Sequence, residues 1–237
     1  MNELLIRGLM IDWTKIDQTS YLRKIPALNK LESLTFTKPV TFFIGENGSG
    51  KSTLLEAIAM AYGFNPEGGT KNYHFSTYDS HSELYGHLRL AKGIRKARWG
   101  YFLRAESFYN VATQEEDYAD SSHPSDYFHQ KSHGESFLTM MEQQFQADSI
   151  YFLDEPEAAL SPQRQLALLR DIFELTKEGS QFIIATHSPI LLGIPEASIL
   201  SFDETLQEIK YEDTTSYQIT KMFINDREHL LSKLLEE

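Results

Sequence analysis

Gly45-Glu46-Asn47-Gly48-Ser49-Gly50-Lys51-Ser52 decides how the rest of the chain is read. Glycine, four residues, glycine, lysine and serine is the pattern of a phosphate-binding loop. The apolar run Val40-Thr41-Phe42-Phe43-Ile44 precedes it and Thr53-Leu54-Leu55-Glu56-Ala57-Ile58-Ala59-Met60 follows, which is the strand–loop–helix setting the motif needs. Glycines let the backbone bend until its N–H groups converge on an anion, and the helix start adds partial positive charge there. Gly45, Asn47, Gly48, Ser49, Gly50 and Thr53 are therefore expected to line a phosphate site. Lys51 is placed to reach the outer phosphates, and the Ser52 hydroxyl to ligate Mg²⁺.

Three more segments fit round that loop. The apolar strand Ile150-Tyr151-Phe152-Leu153 ends in Asp154-Glu155-Pro156-Glu157. Carboxylates at the C-terminal end of a parallel strand stand where α/β sheets place ligands. An Asp there can hold Mg²⁺, and the adjacent Glu can orient or deprotonate the attacking water. Ser132-His133-Gly134-Glu135-Ser136 precedes a helical pattern; its hydroxyl, glycine backbone and helix start can bind an anion, although Ser132 and Glu135 also match a capping box. Ala185-Thr186-His187-Ser188-Pro189 follows the last buried strand, where a histidine can donate to a terminal phosphate or serve only as a turn residue.

Size and composition bound the rest. A chain of 237 residues with 41 % apolar content supports one sizeable core, with or without an attached lobe. The absence of cysteine excludes disulfides, thiolate metal sites and cysteine nucleophiles. No apolar run approaches the ~18 residues of a membrane span. The opening residues show no basic stretch and only a brief apolar run, so a signal peptide is not expected. The formal charge of −12 gives no overall attraction to nucleic acid. Arg89, Lys92, Arg95, Lys96, Arg98 and Arg104 nonetheless crowd one interval, and residues 114–126 are acidic.

Along the chain, residues 4–11 and 34–36 read as strands flanking an irregular stretch, and the helix after the phosphate loop ends near Gly63. Residues 83–98 fit strand or helix. Residues 99–103 form an apolar strand, and Leu138, Met141 and Phe145 fall at helical spacing. Ser161-Pro162 opens another helix, with Leu166, Leu169, Ile172 and Phe173 as its apolar set. Residues 182–185 are a buried strand, 198–202 and 206–211 a terminal hairpin, and an amphipathic helix begins near Asp226. Buried strands alternating with helices predict an α/β protein with a parallel sheet, and the extra strands at both ends predict an antiparallel addition.

Taken together, these residues resemble the ABC-type ATPases. Residues 45–52 look like Walker A, and 150–155 like Walker B with its catalytic Glu. Residues 132–135 are similar to the signature motif, Ala159-Leu160-Ser161 to the D-loop, and His187 to the switch histidine. The order is the family's, over residues 40–200. Departures are concentrated in the signature, where Lys131, His133 and Glu135 replace the usual Leu, Gly and Gln, while Ser132 and Gly134 are kept. No Q-loop glutamine follows the Trp99 strand; Glu106 is the candidate for its place, and Tyr21 or Trp13 for a base-stacking aromatic. The Asp-Glu-Pro-Glu and Thr-His-Ser-Pro endings look like the soluble branch with SMC- and RecF-like heads. Arg104-Ala105-Glu106-Ser107-Phe108 and Ser161-Pro162-Gln163-Arg164-Gln165 resemble small stand-alone bacterial ATPases.

The resemblance implies a P-loop fold in one domain over residues 1–237, with a helical signature lobe at about 64–148. It implies ATP and Mg²⁺ as ligands. Lys51, Glu155 and His187 would be the catalytic residues, and Ser52, Asp154 and Glu106 the metal-side residues. Ser132, Gly134 and Glu135 would come from the opposite subunit of a head-to-tail homodimer. A cytoplasmic location without membrane insertion is expected. Three outputs fit: a soluble ATPase acting on DNA or a repair or defence partner, the nucleotide-binding subunit of a transporter, and an ATP-gated interaction module with slow hydrolysis. Salt-dependent DNA binding lost on neutralising Arg95 and Lys96, co-purification with a membrane protein, and ATP-dependent but turnover-independent pull-down would separate them.

Overall fold

Apolar runs without polar alternation become the centre of a sheet covered on both faces. The computed structural model describes residues 3–71, 82–104 and 143–235. In chain order these hold β1 (Ile6–Ile11), the short helix α1 (Pro26–Asn29), β2 (Ser33–Thr35), β3 (Val40–Ile44), α2 (Lys51–Tyr62), β4 (Gly69–Thr70), β5 (Leu88–Lys92), β6 (Trp99–Arg104), β7 (Ser149–Asp154), α3 (Pro162–Lys177), β8 (Gln181–Ala185), β9 (Ser198–Ser201), β10 (Gln207–Ile209), α4 (Thr215–Asn225) and α5 (Arg227–Leu235). The larger sheet runs β10-β9-β3-β8-β7-β6-β4. Its five inner strands are mutually parallel, and β10 and β4 close the two edges antiparallel. A second sheet, β2-β1-β5, is antiparallel throughout. The expected parallel α/β core with an antiparallel addition is therefore the architecture observed.

Successive residues of β3 separate the two halves of the core. Phe43 joins α2 and the antiparallel sheet on one face; Phe42 and Ile44 join α3 on the other. Because α2 is enclosed by both sheets, Leu54, Leu55, Glu56, Ala57, Ile58 and Ala59 are all buried, and the helix lacks a polar stripe. Gly63 ends it at φ 113°, donating its N–H to the carbonyls of Ala59 and Met60. A buried side chain links the two sheets by hydrogen bonds. Gln181 Oε1 accepts from Ile6 N at 2.8 Å and its Nε2 donates to Ile6 O at 2.9 Å, reproducing a rung of strand pairing with an amide side chain.

Several expectations need revision. The ambiguous 83–98 segment divides into a 3₁₀ turn (Glu83–His87) and β5. Ser161 does cap α3, accepting from Arg164 N, and Leu169, Ile172 and Phe173 of the expected apolar set pack on the core, but the stripe is turned away from Leu166. Leu166 is 57 % exposed, and Leu168 with Ile172 forms the buried contact. The tail carries an additional helix, α4, ahead of α5, and Leu234 on α5 is exposed. Within the span expected for the signature lobe, β5 and β6 belong to the two sheets. Residues 105–142 lie outside the described residues, as do Glu106, Ser132, Gly134 and Glu135.

Candidate functional site

The sheet order sets β3, β8 and β7 side by side, so their C-terminal ends deliver the phosphate loop, Thr186-His187 and Asp154-Glu155 to one edge. The loop turns through positive φ at Gly45 (138°), Gly48 (82°) and Gly50 (101°). At Gly50 a Cβ would also fall 2.8 Å from Ile25 Cγ2, because α1 packs on the back of the loop. Gly50 leads directly into α2, whose first amides have no partner inside the helix and face the loop's hollow. A cavity of about 280 Å³ lies there, lined by Asn47, Gly48, Gly50, Lys51, Ser52 and Thr53 with Glu155 opposite.

Lys51 bridges the loop from within, its Nζ donating to the carbonyls of Gly45 (2.7 Å) and Glu46 (2.9 Å). Burial lowers its pKa from the ordinary lysine value, against the opposing pull of Glu155, Asp154, Asp203 and Glu157. Ser52 Oγ donates to Asp154 Oδ1 at 2.9 Å, joining the first turn of α2 to the end of β7. A hydroxyl and a carboxylate oxygen so close form the hard oxygen pair that suits Mg²⁺, so the residues fit the expected metal. A surrounding set of carboxylates would also repel a triphosphate that lacked a divalent cation.

Glu155 occupies the left-handed region at φ 48°, and its N–H donates to Ala185 O at 2.9 Å. That conformation costs roughly 1–2 kcal/mol in a residue other than glycine. It turns the chain sharply off β7 and leaves the side chain beside the loop. His187 Nε2 stands 3.8 Å from Glu155 Oε1, with the two side chains 44 % and 40 % exposed. Glu157, which motif reading quoted without a role, accepts from His187 N through Oε1 at 2.6 Å. Its Oε2 is shielded and has no hydrogen-bond partner among the described residues. Asp203, two residues past the end of β9, is a further carboxylate acting on Lys51 and was also missed. Only its neighbourhood in the folded sheet reveals it.

Of the sequence-selected residues, the structure thus brings together the whole 45–53 segment, Asp154, Glu155 and His187. Trp13 is engaged elsewhere: its indole N–H donates to Leu31 O at 2.8 Å and the Arg23 guanidinium lies over its ring. Tyr21 is 51 % exposed. The basic interval is partly spent inside the molecule. Arg95 contacts Asp148 Oδ1 (3.2 Å) and Gly179 O (2.8 Å), Arg98 contacts Asp148 Oδ2 (3.6 Å), and Arg104 contacts Glu56 Oε2 (3.0 Å).

A family model described as an AAA domain, AAA_23, matches residues 20–218. The chain belongs to that family. It is a nucleotide-binding P-loop ATPase family, in keeping with the ABC-type order of motifs, and the phosphate loop and both strand-end turns fall within the matched span. No curated protein matches the chain. Among solved structures it is similar to the SMC head domain from Thermotoga maritima at 15 % identity and a TM-score of 0.46, covering 87 % of this chain and 100 % of that one. It is also similar to a metal-chelate type ABC transporter in an inward-facing conformation at 16 % identity and a TM-score of 0.43, covering 81 % and 80 %. Among the described residues no helix is long and apolar enough to cross a membrane.

Proposed function

We propose that this family member binds and hydrolyses Mg-ATP at two composite sites in a head-to-tail homodimer. The observation that carries the reading is the hydrogen bond between Ser52 and Asp154, with Glu155 and His187 on the adjoining strand ends. Lys51 would exchange the carbonyls of Gly45 and Glu46 for phosphate oxygens, joined by the amides of Gly48, Gly50 and Ser52. Ser52 and Asp154 would hold Mg²⁺, which supplies charge neutralisation at the β- and γ-phosphates. Glu155 would accept the proton of the attacking water, and His187 would donate to the γ-phosphate. Glu157 would hold the backbone of the histidine turn in register with the turn after β7.

Glu155 and His187 are both about two-fifths exposed, so one subunit alone leaves the reacting end open to water. That exposure favours closure by a second copy, for which Ser132, Gly134 and Glu135 of the signature-like segment remain the proposed contributors, with Glu106 as the proposed residue beside the metal. The γ-phosphate would then stabilise the dimer, and hydrolysis would release it. Light scattering of the Glu155→Gln protein is the test. With Mg-ATP it should show the mass of two chains, and with Mg-ADP that of one. Equal mass in both would overturn the ATP-dependent dimer. Repeating the measurement with DNA tests a nucleic-acid partner.

A further inference from the structure

From the geometry, we propose that Arg104 and Glu56 form a positioning pair that sets the metal-binding distance between α2 and the sheet. The inference rests on the reading of Ser52 and Asp154 as the Mg²⁺ residues. Two parallel rungs connect helix and sheet. On the helix side, Ser52 and Glu56 stand four residues apart and so share one face of α2. On the sheet side, Arg104 and Asp154 are directly paired across β6 and β7. Ser52 Oγ to Asp154 Oδ1, at 2.9 Å, is the first rung; Arg104 Nη1 to Glu56 Oε2, at 3.0 Å, is the second. Each rung restricts sliding and rotation of α2 for the other.

The second rung is built to hold position. The Glu56 and Arg104 side chains are only 11 % and 25 % exposed, so this is no loose surface pair. Each partner is also anchored in backbone: Glu56 Oε1 accepts from Ser82 N at 3.3 Å, and Arg104 Nη1 donates to Pro66 O at 3.2 Å. The phosphate cradle has anchors that do not pass through this contact: Lys51 is held by the carbonyls of Gly45 and Glu46, and the amides at Gly48 and Gly50 belong to the loop ahead of α2. Loss of the pair therefore acts on the Ser52–Asp154 separation, and through it on the metal, more than on the phosphate cradle. Partners that orient metal ligands without touching the metal commonly matter about 10–100-fold for affinity.

The test is equilibrium binding of a fluorescent ATP analogue to the full chain, in excess EDTA and in saturating Mg²⁺. The ratio of the two affinities reads the metal contribution alone. Arg104→Ala and Glu56→Ala should each lower that ratio about tenfold while leaving the EDTA affinity near the wild-type value. The double variant should be no worse than either single one, and Arg104→Lys should recover part of the ratio. An unchanged ratio in Arg104→Ala and Arg104→Lys, with only the melting temperature lowered, would reduce the pair to a structural contact and overturn the proposal. If Arg104→Ala fails to fold, Arg104→Lys decides alone: an intermediate ratio supports the proposal and a wild-type ratio ends it. Wild-type protein that binds the analogue equally with and without Mg²⁺ would remove the metal reading itself, a failure distinct from that of the pair.

Discussion

Lys51 combines a fold constraint with a proposed function. Burial disfavours its charged form, so its folded-state pKa lies below 10.5 despite four nearby carboxylates. The unfolded chain therefore holds that proton to higher pH. This contribution to stability rises as pH climbs from the lowered value to 10.5, while the positive charge proposed to hold phosphate is lost over the same interval. Nucleotide affinity, followed by titration from neutral to alkaline pH, should begin to fall below the pH at which an ordinary lysine titrates; Lys51→Arg should flatten the decline. Lys51→Ala should weaken binding at neutral pH by roughly 10–100-fold, the worth of a charged hydrogen bond. The loop was legible in sequence because consecutive residues form it. Glu157 was not, since its bond to His187 N joins residues on different strand ends that meet only when β7 and β8 pair.

Elements fared according to how far their burial depends on partners. The strands β3, β7 and β8 are covered on both faces, and their unbroken apolar runs could be recognised without knowing what covers them. Helix α3 is covered on one face by the sheet, and periodicity alone left the stripe's rotation open by a fraction of a turn. Leu168→Ala should cost about 2–5 kcal/mol, whereas Leu166→Ala should stay within about 0.5 kcal/mol. Chemical denaturation of the two variants checks this; equal losses would mean that Leu166 is the core residue after all. Gln181 was invisible as a junction because a lone polar residue opening an apolar strand has no periodic signature. Replacing it by Leu should leave Ile6 N and O unpaired in a buried setting, at a cost of roughly 1–3 kcal/mol per group. Thermal melting should show a drop of several degrees.

At the scale of the whole molecule, the sheet order explains why the site exists. Putting β8 between β3 and β7 brings two carboxylates and a histidine to a loop that lies about a hundred residues or more before them in the chain. Motif order made that meeting legible; sheet order, the antiparallel attachment through Gln181 and the ion-paired arginines were not, because each depends on contacts distant in sequence. Since Arg95 and Arg98 both engage Asp148, neutralising Arg95 disturbs the fold as well as the surface. Exposed Arg89 and Lys96 are the cleaner positions for asking about DNA. Glu155 is proposed to remove a proton from water at a site that otherwise only binds. The most direct measurement of this is steady-state phosphate release by wild-type and Glu155→Gln protein, with the nucleotide retained by each identified. Turnover should fall at least about a hundredfold, within the range for removing a general base, and the variant should retain intact ATP. Phosphate release by Glu155→Gln at the wild-type rate would contradict it.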